Sequence, residues 1–209
     1  MKVNLTNIPT VYINMDTRTD LRERMESMFS RLGFTNVHRS PGVVVPDAPV
    51  CVGISYAFKN AFDLARSVSN GGPFLMLEDD VIPRQSFAAD IEVPDDFDAV
   101  YLGISSWGLR DGVPGPYTSA TYVSDTLARL HTMLSGHAIL YAGSDKEYTK
   151  TVHGLMDASA QAKTYQDIEF AKTMPYYNVY AFVDPVFYQT SQAEPTNLKL
   201  TDFVARKRR

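Results

Sequence analysis

No stretch of this chain constrains its fold more than Phe74-Leu75-Met76-Leu77-Glu78-Asp79-Asp80-Val81. Four apolar residues run directly into three acids, with Gly71-Gly72-Pro73 before them and Pro83 after. A short apolar run between such breakers predicts a strand buried on both faces, and hence a strand inside a sheet. Three adjacent carboxylates at its end repel one another, so a positive group is expected nearby. Strand alternation, continued past the last apolar residue, puts Glu78 and Asp80 on one side and Asp79 on the other. Two convergent carboxylates beside a sheet edge suit Mg²⁺ or Mn²⁺, hard ions that take oxygen ligands. The plainer reading is a solvated acidic turn. The apolar strand leading into the acids weighs against it, because ligands of α/β sheets gather at the C-terminal ends of strands.

Around that strand the chain alternates between strand and helix signals. Thr10-Val11-Tyr12-Ile13-Asn14-Met15 is β-branched and aromatic and predicts a first strand. A helix follows, with Thr17 as its expected N-cap, and Leu21, Met25, Met28, Phe29 and Leu32 form one apolar stripe that Gly33 ends. A helix N-terminus at a sheet edge is a natural anion site. Arg18, in that first turn, reads either as a phosphate contact or as a solvated partner of Asp20.

A strand over 36–39, a proline-rich loop over 41–49 and a helix over 54–68 come next. Further strands are expected at 98–103, 120–123, 127–130, 136–142 and 178–183, and helices at 144–156, capped by Ser144, and 165–174. Residues 104–117 surround Trp107 with glycines and prolines and predict either a binding loop or a plain surface loop. The basic end, 205–209, reads as a solvated terminus or the point where a longer polypeptide was cut. The pattern predicts an α/β three-layer sandwich, a central mixed, mostly parallel sheet flanked by helices, in one domain over 1–209. Neither the dinucleotide-binding glycine fingerprint nor the Walker phosphate loop occurs.

Composition narrows the functional classes. A formal net charge of -4 gives no basic surface for nucleic acid. The single Cys51 excludes an internal disulfide framework and a cysteine zinc cluster. No apolar run is long enough for a membrane span, and the first residues lack the apolar core of a secretion signal. The expectation is a soluble protein of a reducing, cytoplasmic compartment.

Several motifs together resemble glycosyltransferase family 25 and its GT-A relatives. The opening Val11-Tyr12-Ile13-Asn14-Met15-Asp16-Thr17-Arg18-Thr19-Asp20-Leu21-Arg22-Glu23-Arg24-Met25 and the core Leu77-Glu78-Asp79-Asp80-Val81 carry most of the likeness. Gly53-Ile54-Ser55-Tyr56-Ala57, with Tyr56 where the family has histidine, Gly136-His137-Ala138-Ile139-Leu140-Tyr141, Asp167 and the span from Pro185 to Gln189 add to it. The size also resembles, more loosely, the glycosyltransferase domains of large algal viruses (chloroviruses), which would place the protein in host cytoplasm.

The resemblance implies a GT-A-like fold, a nucleoside-diphosphate sugar donor (most often a UDP-sugar), a glycan or glycoprotein acceptor, and Mn²⁺ or Mg²⁺. Carried over by position, it implies Asp80 as direct metal ligand, with Glu78 facing the ribose or a metal-bound water. Ile13 and Asn14 would line the base, Arg18 would approach the diphosphate, and Asp79 would belong to the donor-binding group. Asp167 would serve on the acceptor side as general base or electrostatic partner. No histidine follows His153, so His137, Gln189 and water are the remaining candidates for the metal. Two other functions compete: a non-catalytic nucleotide- or glycan-binding module of the same fold, and a phosphohydrolase of the haloacid dehalogenase type. The latter needs an aspartate nucleophile where this chain has Glu78.

Overall fold

The computed structural model describes residues 1–105, 118–190 and 199–200. The expected loop around Trp107 and the basic end therefore lie outside the described residues, except for the first two positions of the loop. The strands are β1 (Lys2–Asn4), β2 (Thr10–Asn14), β3 (Val37–Pro41), β4 (Phe74–Glu78), β5 (Val81–Pro83), β6 (Asp90–Glu92), β7 (Ala99–Tyr101), β8 (Ser119–Tyr122), β9 (Leu127–Thr132), β10 (Ala138–Tyr141), β11 (Val179–Phe182) and β12 (Phe187–Gln189). The helices are α1 (Thr19–Leu32), α2 (Val50–Ser69), α3 (Glu147–Ala162) and α4 (Gln166–Thr173). Among the described residues no helix is long and apolar enough to cross a membrane.

The fold is α/β, built on an eight-stranded sheet in the order β3-β2-β4-β10-β7-β11-β9-β8. The sheet is mixed, but the expected parallel bias holds only at one side. β3, β2 and β4 run parallel, β7 and β11 form a third parallel pair, and the other four joins are antiparallel. The bias fails because β10 and β9 enter against their neighbours, a relation that no local sequence pattern encodes.

β4 occupies the interior position expected of it. Phe74, Leu75, Met76 and Leu77 are all fully buried. Phe74 and Met76 face a core layer shared with Phe58, Phe62, Tyr101, Tyr141, Tyr148 and Phe170, under α2, α3 and α4. Leu75 and Leu77 face the opposite layer with Tyr12, Met25, Phe29, Leu102 and Leu140, under α1. Burying each such side chain is worth about 1.5–3 kcal/mol, so the strand that carries the acids is anchored from both faces.

Two details of the helices differ from expectation. α1 is capped at Arg18 with no side-chain cap bond, rather than at Thr17. The Arg18 carbonyl instead accepts from Asn14 Nδ2 at 3.0 Å and from the Arg22 amide at 3.1 Å. α3 is capped at Lys146, not Ser144, whose hydroxyl is engaged by Ser69 Oγ at 3.1 Å.

Two small two-stranded sheets complete the framework, β1 with β6 and β12 with β5. The second matters for the site. β5 begins directly after the acidic turn, and its antiparallel register sets Gln189 opposite Val81. The Thr190 amide and hydroxyl then donate to the Asp80 carbonyl at 2.8 and 3.0 Å, so the late chain clasps the turn.

Candidate functional site

Parallel pairing of β2 with β4 brings their C-terminal ends to one edge of the sheet, Ile13 opposite Glu78. Antiparallel pairing sets the beginning of β10 at the same edge, with the Glu78 amide donating to the His137 carbonyl at 2.9 Å. The start of α4 and the end of β12 arrive there too. Between them and the 42–50 segment lies a cleft of about 950 Å³. Its lining mixes polar side chains, Glu78, Asp79, Asp80, Gln166, Asp167 and Gln189, with apolar ones, among them Ile13, Val43, Val44, Val45, Ala48 and Ile54. A volume and a mixed lining of this kind fit a ligand with both highly polar and apolar parts.

The three acids part as alternation requires. Gln189 Nε2 donates to Glu78 Oε2 at 3.0 Å and to Asp80 Oδ1 at 3.4 Å, so these two carboxylates share a side. Asp79 turns to Asn14, accepting from Nδ2 at 2.7 Å. The expected positive charge is found near Asp79, with Arg18 acting on Asp80 as well. Arg24 donates to the Asp79 carbonyl at 2.9 Å, and both Arg18 and Arg24 act on its carboxylate electrostatically. Burial nevertheless pushes Asp79 upward.

Glu78 lacks such help. It keeps partial exposure to the cleft but is otherwise enclosed by protein, and this desolvation, reinforced by Asp80, Asp167 and Asp79, raises it to about 8. Asp167 is raised to about 6, chiefly by burial, with the amides of α4's first turn opposing the shift. Being the lower of the two, Asp167 ionises first, and its charge then bears on Glu78 rather than the reverse.

Other sequence-selected residues are placed less directly. Ile13 lines the cleft, whereas Asn14 lies beneath it, only 1% exposed. Its amide nitrogen serves Asp79 and its oxygen accepts from Arg39 Nε at 3.0 Å, so its side chain braces the acidic turn. Arg18 is exposed and ion-paired with Asp20 at 2.9 Å, a bond that raises it further. His137 is fully buried and is not among the residues lining the cleft.

The His137 Nδ1 meets Ser135 Oγ at 3.0 Å, and Nε2 lies against Gly103 without a partner at hydrogen-bonding geometry. Desolvation lowers the ring to about 4, although Asp80 and the Phe187 backbone favour its charge. Gly103 is obligatory here, because a Cβ would collide with that ring. Tyr165 holds the N-cap position of α4, and Asp167 lies two residues on, in the cleft wall.

Sequence reasoning missed Arg24, Arg39 and Gln166. Nothing local marks them: the first two look like solvated helix and strand cations, and the third like a polar residue at a helix start. Among the described residues no three His, Cys, Asp or Glu side chains come together to hold a metal ion. The carboxylate oxygens of Asp80 and Glu78 suit a hard cation only if phosphate oxygens and water complete its shell, as is usual for Mg²⁺.

The fold and cleft thus define an α/β protein with an acid-lined pocket at a sheet edge. No family model matches the chain, and a search of curated proteins finds no similar sequence. Solved structures similar to it include the inositol-1-phosphate CTP transferase from T. maritima, 12% identical, TM-score 0.48, covering 99% of this chain and 97% of that one. Another is a glycosyltransferase involved in glycosylation of the major capsid of PBCV-1, 12% identical, TM-score 0.43, covering 90% and 94%. A third is a mutant Drosophila β1,4-galactosyltransferase 7 in complex with manganese, UDP-Gal and xylobiose, 12% identical, TM-score 0.41, covering 92% and 68%.

Proposed function

We propose that this protein transfers a sugar from a nucleoside-diphosphate sugar, a UDP-sugar in the first instance, to a hydroxyl of a glycan or glycoprotein, with a divalent metal and on a GT-A-like framework. The observation that carries this reading is the convergence of Glu78, Asp80 and Asp167, from a strand end and a helix start, on one cleft that also carries apolar side chains. The family-25-like motifs supply the same assignment from the sequence, and the viral likeness stays with that resemblance.

Asp80, with Glu78 beside it, would hold Mn²⁺ or Mg²⁺ together with the donor's diphosphate. When bound, the ion supplies Lewis-acid stabilisation of the departing diphosphate. The chain's own residues do the rest. The apolar lining at Ile13 and Val43 to Val45 packs the flat base, while Arg18 can reach the diphosphate only by leaving Asp20. Gln189 keeps the two carboxylates on one side.

Asp167, raised towards neutral pH, is suited to take the proton from the acceptor hydroxyl. In an inverting reaction the acceptor oxygen bonds the anomeric carbon and the bond to the diphosphate oxygen breaks, its electron pair leaving with that oxygen. The acceptor proton ends on Asp167. In a retaining reaction the Asp167 carboxylate acts electrostatically instead.

Incubation with UDP-sugars and Mn²⁺, followed by measurement of UDP, tests the reading. Release of UDP that EDTA abolishes is expected. Binding without release would make the protein a donor-binding module, and release of inorganic phosphate would make it a phosphohydrolase.

A further inference from the structure

Among the described residues lining the cleft, Gln166 alone has a buried polar atom with no hydrogen-bond partner. It is only 5% exposed, it lines the cleft between Tyr165 and Asp167, and its Oε1 has no hydrogen-bond partner. An orphaned buried acceptor is destabilising, so its retention calls for a reason. The amide's other end faces Gly136. A Cβ there would lie 3.3 Å from Gln166 Nε2 and 3.1 Å from Glu78 Oε1, so the absence of a side chain at Gly136 keeps open the space between carboxamide and carboxylate.

Resting on the reading of the cleft as a sugar-nucleotide site, we infer that the Gln166 carboxamide is a specificity-determining group that binds a hydroxyl of the donor sugar. Three parts of the donor compete for it. Phosphate oxygens only accept hydrogen bonds and cannot satisfy Oε1. A nucleobase N–H could, but the amide lies beside the Glu78 carboxylate across Gly136 and next to Asp167 in sequence, among the groups that the proposed reading gives to the diphosphate, the metal and the acceptor. A sugar hydroxyl both donates and accepts, so it satisfies the amide in either orientation. A site built in this way also rejects analogues that lack the hydroxyl, since the amide is then left unpaired.

The test is Gln166→Met, which keeps the side-chain length and removes the amide. Calorimetry with Mn²⁺ measures Kd for UDP and for UDP-glucose and UDP-galactose on the full chain, and thermal unfolding is recorded alongside. The expected result has three parts: Tm equal to or above that of the wild type, because an orphaned acceptor is gone; UDP affinity within twofold; and about tenfold weaker binding of the sugar nucleotide that the wild type prefers. A donor deoxygenated at the recognised position should lose affinity on the wild type and lose nothing further on the variant.

Equal weakening for UDP and UDP-sugar, no weakening of either, or a fall in Tm overturns the inference and makes Gln166 a base contact, a bystander or a structural amide. Should Gln166→Met fail to fold, Gln166→Leu, which also removes the carboxamide, is held to the same three criteria. A wild-type protein that binds UDP-sugars no better than UDP overturns the inference while leaving the nucleotide site standing. One that binds neither overturns the cleft reading itself.

Discussion

Asp80 and Asp167 answer different questions about the same cleft, and single substitutions separate them. Asp80→Ala removes a carboxylate but not the clasp, because Thr190 holds the Asp80 carbonyl rather than its side chain. The fold should therefore persist, while Mn²⁺ affinity measured calorimetrically with UDP present should fall below detection; unchanged affinity would strip Asp80 of its metal role. Asp167→Asn keeps the shape and the position in α4. A general base at this position loses roughly two to four orders of magnitude in kcat with little change in donor Kd. Since Asp167 acts as a base only when ionised and is raised to about 6, kcat/KM should fall as pH drops through that value. A flat profile from pH 5 to 8 in the wild type would argue that the proton goes elsewhere.

At the scale of elements, the cleft wall depends on how closely α2 meets the loop before it. A Cβ on Gly53 would collide with the Val43 carbonyl, so helix and loop touch backbone to backbone. Gly53→Ala must push the loop outward, and overpacking of this kind costs about 1–3 kcal/mol. The expected outcome is a lower denaturation midpoint together with weaker nucleotide binding, read by urea unfolding and UDP calorimetry; loss of stability alone would mean that the loop does not form the base subsite. Element types were legible where periodicity is strong: the stripe of Met25, Met28 and Phe29 and the apolar block of β4 both fall in the structure where their patterns put them. The caps were not: Arg18 and Lys146 hold the N-cap positions without a side-chain cap bond, and the Ser144 hydroxyl is engaged by Ser69 instead. β1, β6, β5 and β12 carry too few residues to show a period, and pairing alone makes them strands.

The whole molecule carries a strain at Glu78 that should show in its pH-dependent stability. In the unfolded chain this carboxyl titrates near 4.5, and in the metal-free fold near 8. Between those values the folded state holds a proton that the unfolded state has released, so stability is full below about 4.5 and declines as pH rises through about 8. Because cleft water reaches the group, the loss should be roughly 2 kcal/mol rather than the full shift. Glu78→Gln removes the titration and keeps an acceptor for Gln189. In EDTA it should therefore be more stable than the wild type at pH 8 and indistinguishable at pH 4.5, by thermal unfolding; equal Tm at both would deny the strain.

What the sequence by itself determined is local: a buried strand running into acids, the alternation that separates Asp79 from Glu78 and Asp80, and the amphipathic helices that cover the sheet. These follow from side-chain period and burial, which neighbours along the chain encode. Only the tertiary structure decided that β10 and β12 arrive antiparallel, that Gln189 bridges two carboxylates, that His137 is enclosed beside Gly103, and that Gln166 is left with an unpaired oxygen in the cleft. The reason is physical: hydrogen-bond partners and desolvation are properties of atoms brought together from positions as many as 166 residues apart, and no local pattern specifies which of them will meet.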